Sequence, residues 1–234
     1  MVQNVRYIFV MRQQHTILFT GFGPFPGMPE NISGRFVRML ADLSQRRFPA
    51  YRVVARILPT EWEPAPERVA VLYAREKPKV ALHFGVSERA QGLVVETLAR
   101  NVRSPLCDAA GRLPSTAKVS EDGPAALKAH VPVDDILRRV TSLGVPIISS
   151  EDAGSYLCNA VLYQSLVLAS AGQTPRTAGF IHIPHSLGQV RSEKRLSNGV
   201  NPIDWEMALA GAFEIVRTCL GREPPARTSR VKPR

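Results

Sequence analysis

Val80-Ala81-Leu82-His83-Phe84-Gly85 runs apolar, without the polar alternation of a strand that has one wet face. Such a strand must be covered on both sides, the situation of a central strand in a parallel sheet flanked by helices. The segments before it fit that setting. Thr16-Ile17-Leu18-Phe19-Thr20 reads as a strand, and residues 34–43 keep helical apolar spacing at positions 36, 37, 40 and 43, with Asn31 or Ser33 as cap. Residues 51–59 read as a second strand ending at proline, and residues 65–76 as a second helix. This βαβαβ opening predicts an α/β fold: a single-domain, three-layer α/β/α sandwich on a mostly parallel, twisted mixed sheet. A chain of 234 residues can bury a full core in one such domain.

Beyond Gly85 the pattern predicts a loop over residues 85–90, then an extended run, Leu93 to Ala99, that carries Glu96. A carboxylate in an apolar run is costly to bury unless a cation or donor meets it; the alternative is an edge strand with Glu96 facing solvent. Residues 103–120 form the longest segment without periodicity, a length often tied to function. Asp122-Gly123-Pro124 is expected to open a short helix and residues 133–143 another, before the strand Val145-Pro146-Ile147-Ile148-Ser149. A further strand, residues 178–185, ends at Pro184 with His182 close to that end. Asn201-Pro202-Ile203-Asp204-Trp205 caps a last amphipathic helix through Cys219. Residues 1–14 are expected to be a disordered leader and residues 221–234 a basic disordered tail, leaving one domain over 15–220.

The net charge of +10 is unevenly spread. The tail holds Arg222, Arg227, Arg230, Lys232 and Arg234 against Glu223, whereas no interior stretch concentrates basic residues with interleaved aromatics. That distribution weighs against nucleic-acid binding, and any binding to an acidic partner would work through the tail. Cys107, Cys158 and Cys219 are odd in number and far apart, which suggests neither a disulfide framework nor a zinc site and fits a reducing cytoplasm. The apolar stretch at Val5–Met11 is too short and interrupted for a signal-peptide core, and no run approaches a membrane span.

Candidate chemistry centres on Asp152-Ala153-Gly154-Ser155-Tyr156-Leu157-Cys158-Asn159, which leads into a helix-like run. A thiol in the first turn of a helix meets unpaired N–H groups and the positive dipole end, which favour thiolate and oxyanion. The competing reading is a small buried core residue. Gly21-Phe22-Gly23-Pro24-Phe25-Pro26-Gly27 lacks dinucleotide spacing, and its prolines remove N–H groups that a phosphate would need. Phe22 and Phe25 lie where α/β folds place ligand crevices, and are either ligand contacts or lids over the core. A thiol nucleophile needs an imidazole, and the imidazole an acceptor. His182 and Glu96 could supply these, with His83, His130 and above all His185 as rival bases.

Thr20-Gly21-Phe22-Gly23-Pro24-Phe25, Asn31, Glu96 with Ala99 and Asn101, Glu121-Asp122-Gly123-Pro124, the octapeptide around Cys158 and Gly179-Phe180-Ile181-His182-Ile183-Pro184 together resemble the pyroglutamyl peptidase I family. The resemblance spans about residues 16–220. It implies a cytosolic cysteine exopeptidase that removes N-terminal pyroglutamate without cofactor or metal, as a homo-oligomer, since the family's bacterial members are often tetramers. Residue by residue, it implies Cys158 as nucleophile, His182 as general base and acid, and Glu96 as the group orienting the imidazole. Phe22 and Phe25 match the aromatics around the pyrrolidone ring, Asn31 a polar neighbour, and Tyr156 and Leu157 positions lining the pocket. Val86 stands where the family usually has Gln; Ser87, Glu88 and Arg100 also depart from its pattern. These departures leave open an altered relative acting on another lactam or acyl amide, or a non-catalytic binding protein.

Overall fold

The computed structural model describes residues 14–25, 27–172, 174–188 and 203–221. The expected leader, apart from Gln14, and the expected tail, apart from Gly221, lie outside the described residues, as do Asn201 and Pro202. In chain order the elements are β1 (His15–Phe22), α1 (Ile32–Arg47), β2 (Tyr51–Leu58), α2 (Pro64–Glu76), β3 (Pro78–Ser87), β4 (Leu93–Glu96), β5 (Leu98–Arg100), β6 (Ala126–Lys128), α3 (Val133–Thr141), β7 (Ile147–Ser150), α4 (Leu157–Ser170), β8 (Thr177–Pro184) and α5 (Trp205–Cys219). A single 3₁₀ turn, His185–Gly188, follows β8.

Six strands form one sheet in the order β2-β1-β3-β8-β4-β7. β1, β2, β3 and β8 run parallel, β4 lies antiparallel on β8, and β7 is parallel to β4. The predicted mixed, mostly parallel sheet is therefore present. Two apolar layers cover it, as the composition of β3 required. One joins Ile17, Phe19, Leu82, Phe84 and Ile181 to α1, α3 and α5; the other joins Leu18, Ala81 and Phe180 to α2 and α4. Helix α4 is apolar around most of its circumference, with Leu157, Ala160, Val161, Leu162, Tyr163 and Leu166 all buried, so it packs as a core helix rather than a surface one.

Local chemistry explains the helix starts. Asn31 is the N-cap of α1, its Oδ1 accepting the Ser33 N–H at 3.2 Å; the Ser33 hydroxyl instead accepts the Phe22 N–H at 2.9 Å and so ties the end of β1 to the start of α1. That approach is close enough that a Cβ on Gly21 would lie 2.5 Å from the Ser33 carbonyl oxygen. Asp204 caps α5 through the Met207 N–H at 2.8 Å.

Three expectations need correction. β1 continues through Gly21 and Phe22, so Phe22 belongs to a strand and not to the following loop. β3 likewise runs on to Ser87, because its pairing with β8 continues to Pro184. The helix expected at Asp122 is absent: residues 121–123 turn, and β6 pairs antiparallel with β5. The carbonyls a helix there would use are already taken. Asn101 Nδ2 donates to Ser120 O and Gly123 O at 2.7 and 3.1 Å, and Tyr163 Oη donates to Pro124 O at 2.7 Å.

Candidate active site

The pairing of β4 with β8 builds the centre. Val94 lies opposite His182 and Glu96 opposite Phe180, which makes Glu96 and His182 diagonal neighbours on one face of the sheet. On the other flank of β8, Gly85 lies beside His182 and His83 beside Phe180. All these residues face the layer that contains α2 and α4. The first turn of α4 brings Cys158 over this face: a Cβ added to Gly85 would sit 2.9 Å from Cys158 Sγ and 2.7 Å from Phe180 Cζ. The sulfur thus occupies the space that a side chain at residue 85 would fill.

His182 Nδ1 donates to Glu96 Oε1 at 2.7 Å, and the Cys158 sulfur acts electrostatically on the same ring. With Nδ1 committed to Glu96, Nε2 is the nitrogen left for the thiol. Glu96 is 2% exposed and His182 8%, so the edge-strand reading of Glu96 is excluded. Taking a carboxylate out of water costs several kcal/mol unless a partner compensates. Glu96 Oε2 has no hydrogen-bond partner among the described residues, so the carboxylate's compensation rests on the imidazole. Burial works against a charged His182 ring, but the negative sulfur of Cys158 and the Glu96 carboxylate outweigh it and push its pKa up to about 10.

His83 shows what the same face does to an imidazole without a carboxylate. It is fully buried among neutral hydroxyls, with Thr20 Oγ1 2.7 Å from Nδ1, and Ser165 Oγ and Tyr73 Oη 2.9 and 3.2 Å from Nε2. Burial drives its pKa down to about 3, so it stays neutral and serves the core. His130 is exposed before α3, and His185 opens the 3₁₀ turn beyond β8.

The N-terminus of α4 supplies the second chemical feature. Gly154, at φ 78°, turns the chain upward from β7, and Tyr156 becomes an N-cap in extended conformation with no side-chain cap bond. By helix geometry the N–H groups of Leu157, Cys158 and Asn159 have no intrahelical acceptor. Free N–H groups at a helix N-terminus can receive a negative oxygen. Among the described residues no group of three His, Cys, Asp or Glu side chains could hold a metal ion.

The remaining sequence candidates are distributed unequally. Phe22 is buried against Phe180 with ring centroids 6.4 Å apart, while Phe25 is 36% exposed in the loop beyond it. Asn31 commits its Oδ1 to capping α1 and to the Ser33 hydroxyl. Val86 alternates away from Gly85 and packs with the layer of α1 and α5, on the face opposite Cys158. Leu157 is buried in the α2–α4 layer. Tyr156 stacks edge-on against Trp62 at 4.8 Å and donates to Cys107 O at 3.0 Å, which draws the 103–120 segment against the start of α4. Asp108 secures the same segment: its carboxylate accepts the N–H groups of Trp62, Ala110 and Arg112 at 2.9–3.1 Å. Burial would raise its pKa, but those donors and the Arg112 charge hold it below the usual carboxylate range. A groove of about 640 Å³ between the ends of β1 and β2 and the start of α2, lined by Gly23, Leu58, Pro59, Pro64 and Arg68, contains none of Cys158, His182 and Glu96.

Gly85 and Phe180 were not singled out from the sequence as functional. The signal for Gly85 was available: a glycine closing an apolar strand often marks a close approach. Gly85→Ala should reduce kcat by about 100-fold or more, since a displacement near 1 Å at a reacting atom is enough for that. Its melting temperature should also fall, as the new methyl overpacks against Phe180. Wild-type turnover by this variant would show that the sulfur does not occupy that space.

A thiol at a helix N-terminus, beside an imidazole held by a buried carboxylate, on an α/β/α scaffold, is the arrangement of a cysteine peptidase. The profile of the pyroglutamyl peptidase family matches residues 15–218, and the chain belongs to that family. It is similar to the pyrrolidone-carboxylate peptidase of Cupriavidus pinatubonensis, with 33% identity over 215 residues, covering 91% of this chain and 96% of that protein. With the pyrrolidone-carboxylate peptidase of Chromobacterium violaceum it shares 37% identity over 172 residues, 72% of this chain and 77% of that one. The solved structure of a mutant pyrrolidone carboxyl peptidase from the hyperthermophile Pyrococcus furiosus superposes with a TM-score of 0.77 at 26% identity, covering 88% of this chain and 98% of the other.

Proposed function

We propose that this chain hydrolyses the amide bond after an N-terminal pyroglutamyl residue, through a thioester on Cys158. The observation that carries this reading is the Glu96–His182 hydrogen bond beside Cys158 at the uncapped start of α4. The Cys158 thiolate attacks the pyroglutamyl carbonyl. The oxygen that becomes negative is received by N–H groups of the first turn. His182, protonated and held by Glu96, gives its proton to the departing amine, then takes one from the water that cleaves the thioester. Pyroglutamate leaves and the thiolate–imidazolium pair is restored.

Phe180, with Phe22 packed against it, supplies aromatic surface beside the sulfur for a flat, small lactam ring. The absence of a side chain at Gly85 leaves room for the Cys158 sulfur. Val86, the departure that suggested a different substrate, points into the opposite layer, so it gives no support to an altered specificity. The test is hydrolysis of a chromogenic L-pyroglutamyl amide beside the L-prolyl amide, which lacks the lactam carbonyl. Preferential release from the pyroglutamyl amide is expected; equal rates, or none on either, would refute the assignment.

A further inference from the structure

The proposed chemistry requires the first turn of α4 to be held within a fraction of an ångström, yet Tyr156 gives that turn no side-chain cap. Asn159, the third residue of the helix, holds it instead. Its side chain is 1% exposed in sum with the residue and reaches across to β5: Oδ1 accepts the Arg100 N–H at 2.8 Å, and Nδ2 donates to Arg100 O at 2.8 Å and Val102 O at 3.1 Å. One amide thus bonds both the N–H and the C=O of Arg100, as a neighbouring strand would.

The partner is itself anchored from its far side. Arg100 pairs with Ala126 of β6, and the Asn101 N–H donates to Ala125 O at 2.9 Å. The Asn101 side chain accepts the Val119 and Ser120 N–H groups at 2.9 and 3.0 Å while donating to Ser120 O and Gly123 O. Farther along, the Ser104 N–H donates to Ser155 O at 2.7 Å. The strand that Asn159 grips is therefore a fixed abutment.

Burying an amide brings little net stability even when every bond is made, and an apolar residue in a core helix would cost less to bury. What the amide provides is direction: it sets both the height and the rotation of the turn that carries Cys158. We propose that Asn159 is a positioning residue for the proposed hydrolysis, fixing Cys158 and the neighbouring N–H groups relative to His182. The inference rests on the peptidase reading for its consequence in turnover, but not for its consequence in thiol reactivity.

Two variants test it. Asn159→Asp keeps the shape and the acceptor but sets a carboxylate against the carbonyls of Arg100 and Val102. Asn159→Ser keeps a hydroxyl on an arm too short to span both partners. Each is assayed for iodoacetamide alkylation of Cys158 across pH and for kcat and KM on the pyroglutamyl amide. The alkylation profile of the Asp variant should move to higher pH, and kcat should fall about 100-fold in both variants with KM little changed. A lowered melting temperature with wild-type alkylation and kcat would overturn the proposal and leave Asn159 a packing residue. If wild type alkylates readily but does not turn over the amide, the peptidase reading fails, while the alkylation profiles still decide the role of Asn159.

Discussion

Cys158→Ala should abolish turnover of a pyroglutamyl amide, with kcat reduced by about 10⁵-fold or more, the scale on which losing a nucleophile acts. The fold should persist. The sulfur is half-buried over Gly85, and no backbone of the core depends on it. The variant also isolates an electrostatic effect. Burial is the largest single influence on His182 and lowers its pKa, but the Cys158 sulfur is the first of the influences that together overcome it, so removing the sulfur should lower the imidazole pKa from about 10. Turnover by a folded Cys158→Ala protein would remove the thiol from the mechanism, and an unmoved His182 titration followed by NMR would contradict the pairing.

Glu96→Gln should lower kcat by about 10⁴-fold, the scale seen when the orienting carboxylate of a triad is neutralised. The side chain keeps its size, so this loss reports charge and tautomer more than packing. Its pH signature has a definite sign. The folded pKa of His182 is raised from 6.5 to about 10, so its protonation contributes stability that is complete below pH 6.5 and lost as pH rises through 10. Wild-type kcat/KM should likewise keep its imidazolium through neutral pH and decline on the alkaline side. Without the Glu96 charge the raise is smaller, and both the alkaline limb of activity and the loss of stability should move to lower pH. An alkaline limb that stays in place in Glu96→Gln would show that the carboxylate does not charge the ring.

The framework was legible wherever local composition dictates burial. The apolar run of β3 required cover on both faces, and the structure provides it with α1 and α5 on one side and α2 and α4 on the other. Asn31 as a cap was readable because capping depends on neighbours only two or three residues away. Cys158, His182 and Glu96 could be named, and the family resemblance implied their joint roles, but no local pattern showed that they meet. Their meeting depends on β4 turning back antiparallel on β8, a register between residues 86 positions apart that no local pattern encodes. The same limit hid Val86: its side depends on whether the chain is still a strand at that point, and pairing with Ile183 keeps it one. The helix expected at Asp122 failed because Asn101, distant in sequence, claims its carbonyls. Asn159 was visible only as a polar residue in a helix, and its meaning came from the position of β5.

The central claim, that Cys158 with His182 and Glu96 cleaves pyroglutamyl amides, is tested most directly by one assay. Initial rates on the L-pyroglutamyl and L-prolyl amides are measured on wild-type protein as Cys158 is alkylated stepwise, with the modified fraction determined by mass spectrometry. Release from the pyroglutamyl amide should exceed that from the prolyl amide and fall in proportion to alkylated Cys158, reaching zero when modification is complete. Hydrolysis that continues after full alkylation of Cys158, or that is indifferent to the lactam, would contradict it.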